Sequence, residues 1–130
     1  METLTNPAVI RRLMQKYGIR FSKKLGQNFI VNPGVCPRIA ELGGAGPGVG
    51  AIEVGPGIGV LTAELASRCD KVVAIELDKR LPPLLAETLG DFNNVEILCA
   101  DALEVDLAAL IAERFPGMEV IICANLPYYI

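Results

Sequence analysis

The chain contains no histidine, and its four cysteines, Cys36, Cys69, Cys99 and Cys123, form no Cys-x-x-Cys pair. Those two absences leave too few clustered ligands for a structural zinc site. No metal is expected, and the cysteines, set in apolar surroundings, read as buried reduced thiols. Long apolar runs are missing as well. Hydrophobic residues make up 52% of the sequence, yet the longest runs are strand length and are broken by Glu, Asp and Gly, so none suits a bilayer. The start, Met1-Glu2-Thr3-Leu4-Thr5-Asn6, lacks the basic residues and apolar centre of a secretion signal. A cytoplasmic protein without a membrane partner is the expectation. Its 130 residues suit one core-rich α/β domain.

Charge is unevenly placed. Residues 1–24 carry Arg11, Arg12, Lys16, Arg20, Lys23 and Lys24 against Glu2 alone, whereas the whole chain has a net charge of -3. A basic arm on an acidic body suits a polyanion partner, and a solvated helix face is the alternative on charge alone. Asn6-Pro7 is a helix start and Gly18 a stop, with Val9, Leu13 and Tyr17 sharing one face of the helix between them. The amide-rich, aromatic-flanked stretch from Phe21 to Ile30 is too distinctive for a linker. Asn32-Pro33 repeats the helix-start signal, and Gly43-Gly44 ends a second helix.

The stretch Glu53-Val54-Gly55-Pro56-Gly57-Ile58-Gly59 organises the rest. It follows the apolar run 51–54, read as a buried strand, and precedes a helical segment over 60–68. Glycines at 55, 57 and 59 permit a sharp turn and leave no Cβ between the main chain and a ligand. The next strand, 71–76, ends in Glu76, 21 residues after Gly55, where an acid can hold a ribose hydroxyl pair. Val60 stands where the dinucleotide fingerprint needs a small residue, which tilts the cofactor from NAD towards S-adenosylmethionine, an adenosine without phosphates. A tight strand-to-helix turn is the alternative. A second Gly-x-Gly-x-Gly, at 46, 48 and 50, precedes a strand and reads as a flexible connector.

From there strands at 51–54, 71–76, 95–99 and 119–124 alternate with helices at 60–68, 79–89 and 106–114. Asp78 is expected to cap the second of these helices and Asp106 the third. Right-handed crossovers then give a parallel sheet covered on both faces, with ligands at the carboxyl ends of its strands, marked by Gly55, Glu76, Asp101 and Asn125. Asp101 can accept from an adenine amine or cap the loop before the last helix. In Asn125-Leu126-Pro127-Tyr128 an amide oxygen and a proline-stiffened carbonyl offer two acceptors to an aryl amine, beside an aromatic face for a planar base. A strand-ending turn with a surface tyrosine would look the same.

Gly26-Gln27-Asn28-Phe29, Glu53 to Thr62, Ala74 to Asp78, Ala100-Asp101-Ala102-Leu103 and Asn125 to Ile130 fall in the order and approximate spacing of the ribosomal RNA adenine dimethyltransferase family, which residues 10–130 resemble. The resemblance implies a Rossmann-like class I S-adenosylmethionine-dependent methyltransferase fold acting on adenines of small-subunit ribosomal RNA. It implies cofactor contacts from Asn28, Ile30, Gly55, Gly57, Glu76 and Asp101. Asn125 would bridge the methionine end and the target amine, Pro127 and Tyr128 would complete the base pocket, and Glu53 would orient the methionine amine through water. The basic arm becomes an RNA contact.

Family members continue well past the Asn-Leu-Pro-Tyr motif, and this chain stops at Ile130. The expectation is a sheet of order 3-2-1-4 truncated after its fourth strand, with residues 1–48 as arm and connector and 49–130 as a partial cofactor-binding domain. Its fourth strand would be an exposed apolar edge, open to self-association. Cofactor binding is expected to survive the truncation and methyl transfer to RNA is not. Rival readings are a large-subunit methyltransferase of the antibiotic-resistance type, a non-catalytic nucleic-acid-binding relative, and an NAD oxidoreductase, the last disfavoured by Val60 and by the lack of a hydride-transfer acid.

Overall fold

The structure, a computed structural model, describes residues 4–19 and 34–124. Within them α1 (Pro7–Tyr17) and α2 (Val35–Gly43) precede an alternating series: β1 (Val49–Val54), α3 (Val60–Arg68), β2 (Lys71–Glu76), α4 (Leu81–Thr88), β3 (Val95–Cys99), a 3-10 turn (Ala102–Glu104), α5 (Leu107–Arg114) and β4 (Glu119–Ala124). The four strands form one parallel sheet, as expected from the apolar runs and crossovers, and its order β3-β2-β1-β4 is the one the family resemblance implied. Glu53 lies beside Ala74 on one side and Cys123 on the other, so β1 and β2 form the buried centre of the sheet.

Alternation along each strand sorts the core into two faces. Ala51, Val72 and Cys123 pack with Leu61, Leu65, Cys36 and Ala40 under α2 and α3. Ile52, Val73 and Ile75 pack with Leu110 and Phe115 under α5. A third cluster joins Leu4, Ile10, Leu13 and Ile19 to Ile58, Leu81, Leu84 and Leu85, laying α1 along α4. Each such large side chain, removed from water, favours folding by about 1.5–3 kcal/mol before its ordering cost.

Local signals explain most boundaries. Asn6 Oδ1 accepts from the Ala8 amide at 2.9 Å, Pro7 opens α1, and Gly18 closes it at φ +64. Asp106 accepts from the Ala109 amide at 3.0 Å and caps α5 as expected. Asp78 does not cap α4. The N-cap position belongs to Arg80, and Pro82 and Pro83 occupy the positions whose N–H groups a capping side chain would bind. Asp78 instead accepts from the Arg80 amide and guanidinium in the preceding turn, which shortens the helix to 81–88. α2 starts at Val35 behind Gly34, and the expected start signal Asn32-Pro33 lies outside the described residues.

The expected connector over 43–50 does more than join elements. Gly44 closes α2 at φ +87, and β1 begins at Val49, two residues before the expected start. The thiols also divide: Cys36, Cys69 and Cys123 are buried, but Cys99 is exposed, against the expectation, because it ends an edge strand. At the other edge β4 pairs only with β1 among the described strands, and its Ile122 is 53% exposed. Among the described residues no helix is long and apolar enough to cross a membrane.

Candidate functional site

The carboxyl ends of β1, β2 and β3 meet in one hydrogen-bonded row. The Gly55 amide donates to the Ile75 carbonyl at 3.0 Å, and the Ala100 amide donates to the Glu76 carbonyl at 3.0 Å. The register thereby brings Gly55, Glu76 and the segment leading to Asp101 side by side. A parallel sheet puts every strand's exit at one end, so acids spaced widely in sequence converge there.

Within this row the three turn glycines have different jobs. Gly55, Gly57 and Gly59 all take positive φ, at 74°, 59° and 98°. A Cβ on Gly57 would meet nothing within 4 Å among the described residues, which leave open space over that peptide. A Cβ on Gly59 would lie 3.1 Å from Thr88 Oγ1 and 3.3 Å from Leu85 Cδ2. Gly59 therefore lets α4 close on the start of α3, and its open side does not face a ligand as the sequence pattern suggested.

Glu76 accepts from the Asp78 amide at 2.9 Å. Burial raises its pKa, opposed by the amides of Asp78, Gly57 and Leu77 and assisted by the Asp78 charge. The glycine turn and the acid thus share one electrostatic environment. Asp101 commits Oδ1 to the Leu103 amide at 2.9 Å and caps the 3-10 turn, the local role its sequence allowed. Two exposed leucines, Leu77 and Leu103, flank these acids. Sequence reasoning passed over both, although an apolar residue in a loop directly after a strand-end acid is a readable signal.

Glu53 is the most unusual group nearby. Its side chain is fully buried, Oε1 accepts from the Thr62 hydroxyl, and Oε2 has no hydrogen-bond partner among the described residues. Burial pushes its pKa up to about 7, with the Thr62 hydrogen bond pulling down and the Glu76 charge pushing up. An orphaned carboxylate oxygen in a core is costly and marks a place for a donor or cation. Thr62 closes the stretch Glu53 to Thr62 that carries the family resemblance, but the sequence assigned it no role, since a threonine in a helical run has no distinguishing chemistry until its partner is seen.

The remaining predicted residues, Asn28, Ile30, Asn125, Pro127 and Tyr128, lie outside the described residues. β4 nevertheless reaches Ala124 in register with Val54, so the residues immediately preceding Asn125 and Gly55 are paired. On the basic arm, Arg12 and Lys16 both pair with Glu87 of α4, and Tyr17 donates to the same carboxylate at 2.7 Å. Two of the cations expected to meet a polyanion therefore also hold α1 in place. Among the described residues no group of acidic or sulfur ligands could hold a metal.

The order 3-2-1-4, the glycine turn after β1 and the acid ending β2 define the Rossmann-like fold of class I S-adenosylmethionine-dependent methyltransferases. The family model for ribosomal RNA adenine dimethylase matches residues 18–130, and the chain belongs to that family. It is 46% identical over 130 residues to the ribosomal RNA small subunit methyltransferase A of Alkaliphilus oremlandii, covering all of this chain and 45% of that relative. The chain thus spans about 45% of that curated relative's length. Among solved structures, a dimethyladenosine transferase from Plasmodium falciparum matches with a TM-score of 0.60 at 28% identity, over 75% of this chain and 33% of that one. The 23S rRNA methyltransferase ErmE matches with a TM-score of 0.52 at 30% identity, over 65% of this chain and 41% of that one.

Proposed function

We propose that this chain binds S-adenosylmethionine and serves the dimethylation of adenine exocyclic amines in small-subunit ribosomal RNA. The match of residues 18–130 to the adenine dimethylase family carries the reading. Among the described residues the site fits such a ligand: an open, Cβ-free peptide at Gly57, an acid beside it at Glu76, and a buried carboxylate oxygen without a donor at Glu53. When bound, S-adenosylmethionine supplies an electrophilic sulfonium methyl group.

In this reading Gly55 and Gly57 give the cofactor backbone to lie against, Glu76 holds the ribose and Asp101 the adenine, with Leu77 and Leu103 as apolar walls. Asn28 and Ile30 add contacts from the arm. Asn125 and the carbonyl before Pro127 accept the two hydrogens of the target amine, which keeps the nitrogen lone pair available, and Tyr128 stacks on the base. No strong general base is needed, which suits a chain without histidine.

A large-subunit target is the second reading, favoured by the match to ErmE. Both are tested by a chimaera in which residues 1–130 replace the matching part of the Alkaliphilus relative. Dimethyladenosine in small-subunit RNA, absent with Asn125→Ala, is the expected product. Modification of large-subunit RNA alone would transfer the assignment to the second reading.

A further inference from the structure

Glu53 and Thr62 face each other across the glycine turn, one at the end of β1 and one in the first turn of α3. Both are fully buried. The hydroxyl has one direction to donate in, and it is taken by Oε1. That fixes the carboxylate plane and leaves Oε2 as the single buried side-chain polar atom without a partner among the described residues. A buried oxygen in that state either carries a proton or receives a cation, because a bare charge there is strongly disfavoured.

We propose that Thr62 is a positioning residue that holds Glu53 ready for the ammonium group of an amino-acid-bearing ligand, and that the ligand's arrival expels a proton from Glu53. The proposal rests on the cofactor reading above and adds a residue and a proton to it. An ammonium group supplies the donor that Oε2 lacks and stabilises the ionised carboxylate, so the neutral form prevalent in acid gives up its proton to solvent as the ion pair forms. The adenosine part of the ligand has no such cation and exerts no such effect.

Among the described residues, groups on every neighbouring element act on the Glu53 proton. Glu76 on β2 is the nearby charge that raises its pKa. Cys36 on α2 is held neutral by burial, its thiol pushed up to about 12, with Glu53 itself contributing. Cys123 on β4 is raised by burial and then by Glu53. Thr62 on α3 is the group that pulls Glu53 the other way. With a free-state midpoint at about 7, the ionised fraction, and with it the affinity for an ammonium ligand, rises about 25-fold from about pH 5.5 to 7.5.

Calorimetric titrations with S-adenosyl-L-homocysteine, which keeps the amino-acid end, and with methylthioadenosine, which lacks it, test the proposal on the intact chain. Run in buffers of different ionisation enthalpy, the first ligand is expected to release protons near pH 7 and the second to release none. Thr62→Val should weaken S-adenosyl-L-homocysteine about tenfold at pH 7 and move the rise in affinity to higher pH, leaving methylthioadenosine within about twofold. Thr62→Ser should restore the parent profile, and Glu53→Gln should flatten it. Circular dichroism of each variant reports folding, and the Ser variant keeps the test decisive if Val does not fold, since a hydroxyl at 62 must then preserve the profile. Binding of both ligands with no proton release, or an unchanged profile in Thr62→Val, overturns this inference and leaves the cofactor reading standing. Failure of both ligands to bind the folded parent at every pH overturns the cofactor reading and this inference with it.

Discussion

The Phe115 ring lies directly over Gly50, with Cδ1 inside the space where a side chain on that glycine would begin. Gly50 is the second residue of β1, and Phe115 is buried at the end of α5 on the sheet's other face from α2 and α3. A ring can seat directly on the strand only because the strand offers no Cβ there. Gly50→Ala should therefore destabilise the fold by about 1–3 kcal/mol through overpacking. Chemical denaturation of Gly50→Ala in the parent and in a Phe115→Leu background checks this, the second difference being the smaller one.

The turn glycines separate binding from stability. Gly57→Ala should cost only about 1 kcal/mol of strain, yet weaken S-adenosylmethionine at least tenfold by filling the open side of the turn. Gly59→Ala should do the reverse, lowering the melting temperature more than Gly57→Ala because the new methyl meets Thr88 and Leu89. Paired melting curves and binding isotherms on the two variants decide it.

Glu87 anchors α1 and gives that contact a pH dependence. Hydrogen bonds from Lys16 and then Tyr17, with Arg12 beside them, hold its carboxyl down at about 2. A depressed carboxylate stabilises the fold fully above its ordinary value near 4.5 and loses that contribution as pH falls towards about 2. The melting-temperature gap between the parent and Glu87→Gln should close over that window and narrow in high salt. A gap that stays constant down to about pH 2 contradicts the assignment.

Thiol chemistry reports the two edges of the core. Cys99 should react first with a small disulfide reagent under native conditions, while Cys36, Cys69 and Cys123 wait for unfolding. Mass spectrometry after a short exposure should show a single adduct, lost in Cys99→Ser.

Sequence signals were sufficient wherever a local rule and a global one coincide. Asn6, Pro7 and Gly18 bound α1, the apolar runs place the four strands, and parallel connectivity carries Gly55, Glu76 and Asp101 to one end. The two misread glycines share a physical cause: the deciding partner is far away in the chain. Gly50 looks like a connector residue until Phe115, 65 positions on, is seen to need its missing Cβ. Gly59 looks like a ligand glycine until α4 fills its open side. Asp78 carries a capping composition, but the two prolines that mark the helix start also remove the amides a cap requires. Cys99 resembles its buried counterparts in local composition and differs only because β3 is an edge. Thr62 acquires meaning through a single hydrogen bond to Glu53.

The measurement that tests the account most directly is a calorimetric titration of the folded chain with S-adenosylmethionine, with NAD as the control ligand. Saturable one-to-one binding of S-adenosylmethionine, weakened by Glu76→Ala and with no heat from NAD, is the predicted result. Binding of NAD in its place, or S-adenosylmethionine binding that Glu76→Ala leaves unchanged, would contradict the site assigned to the ends of β1 and β2.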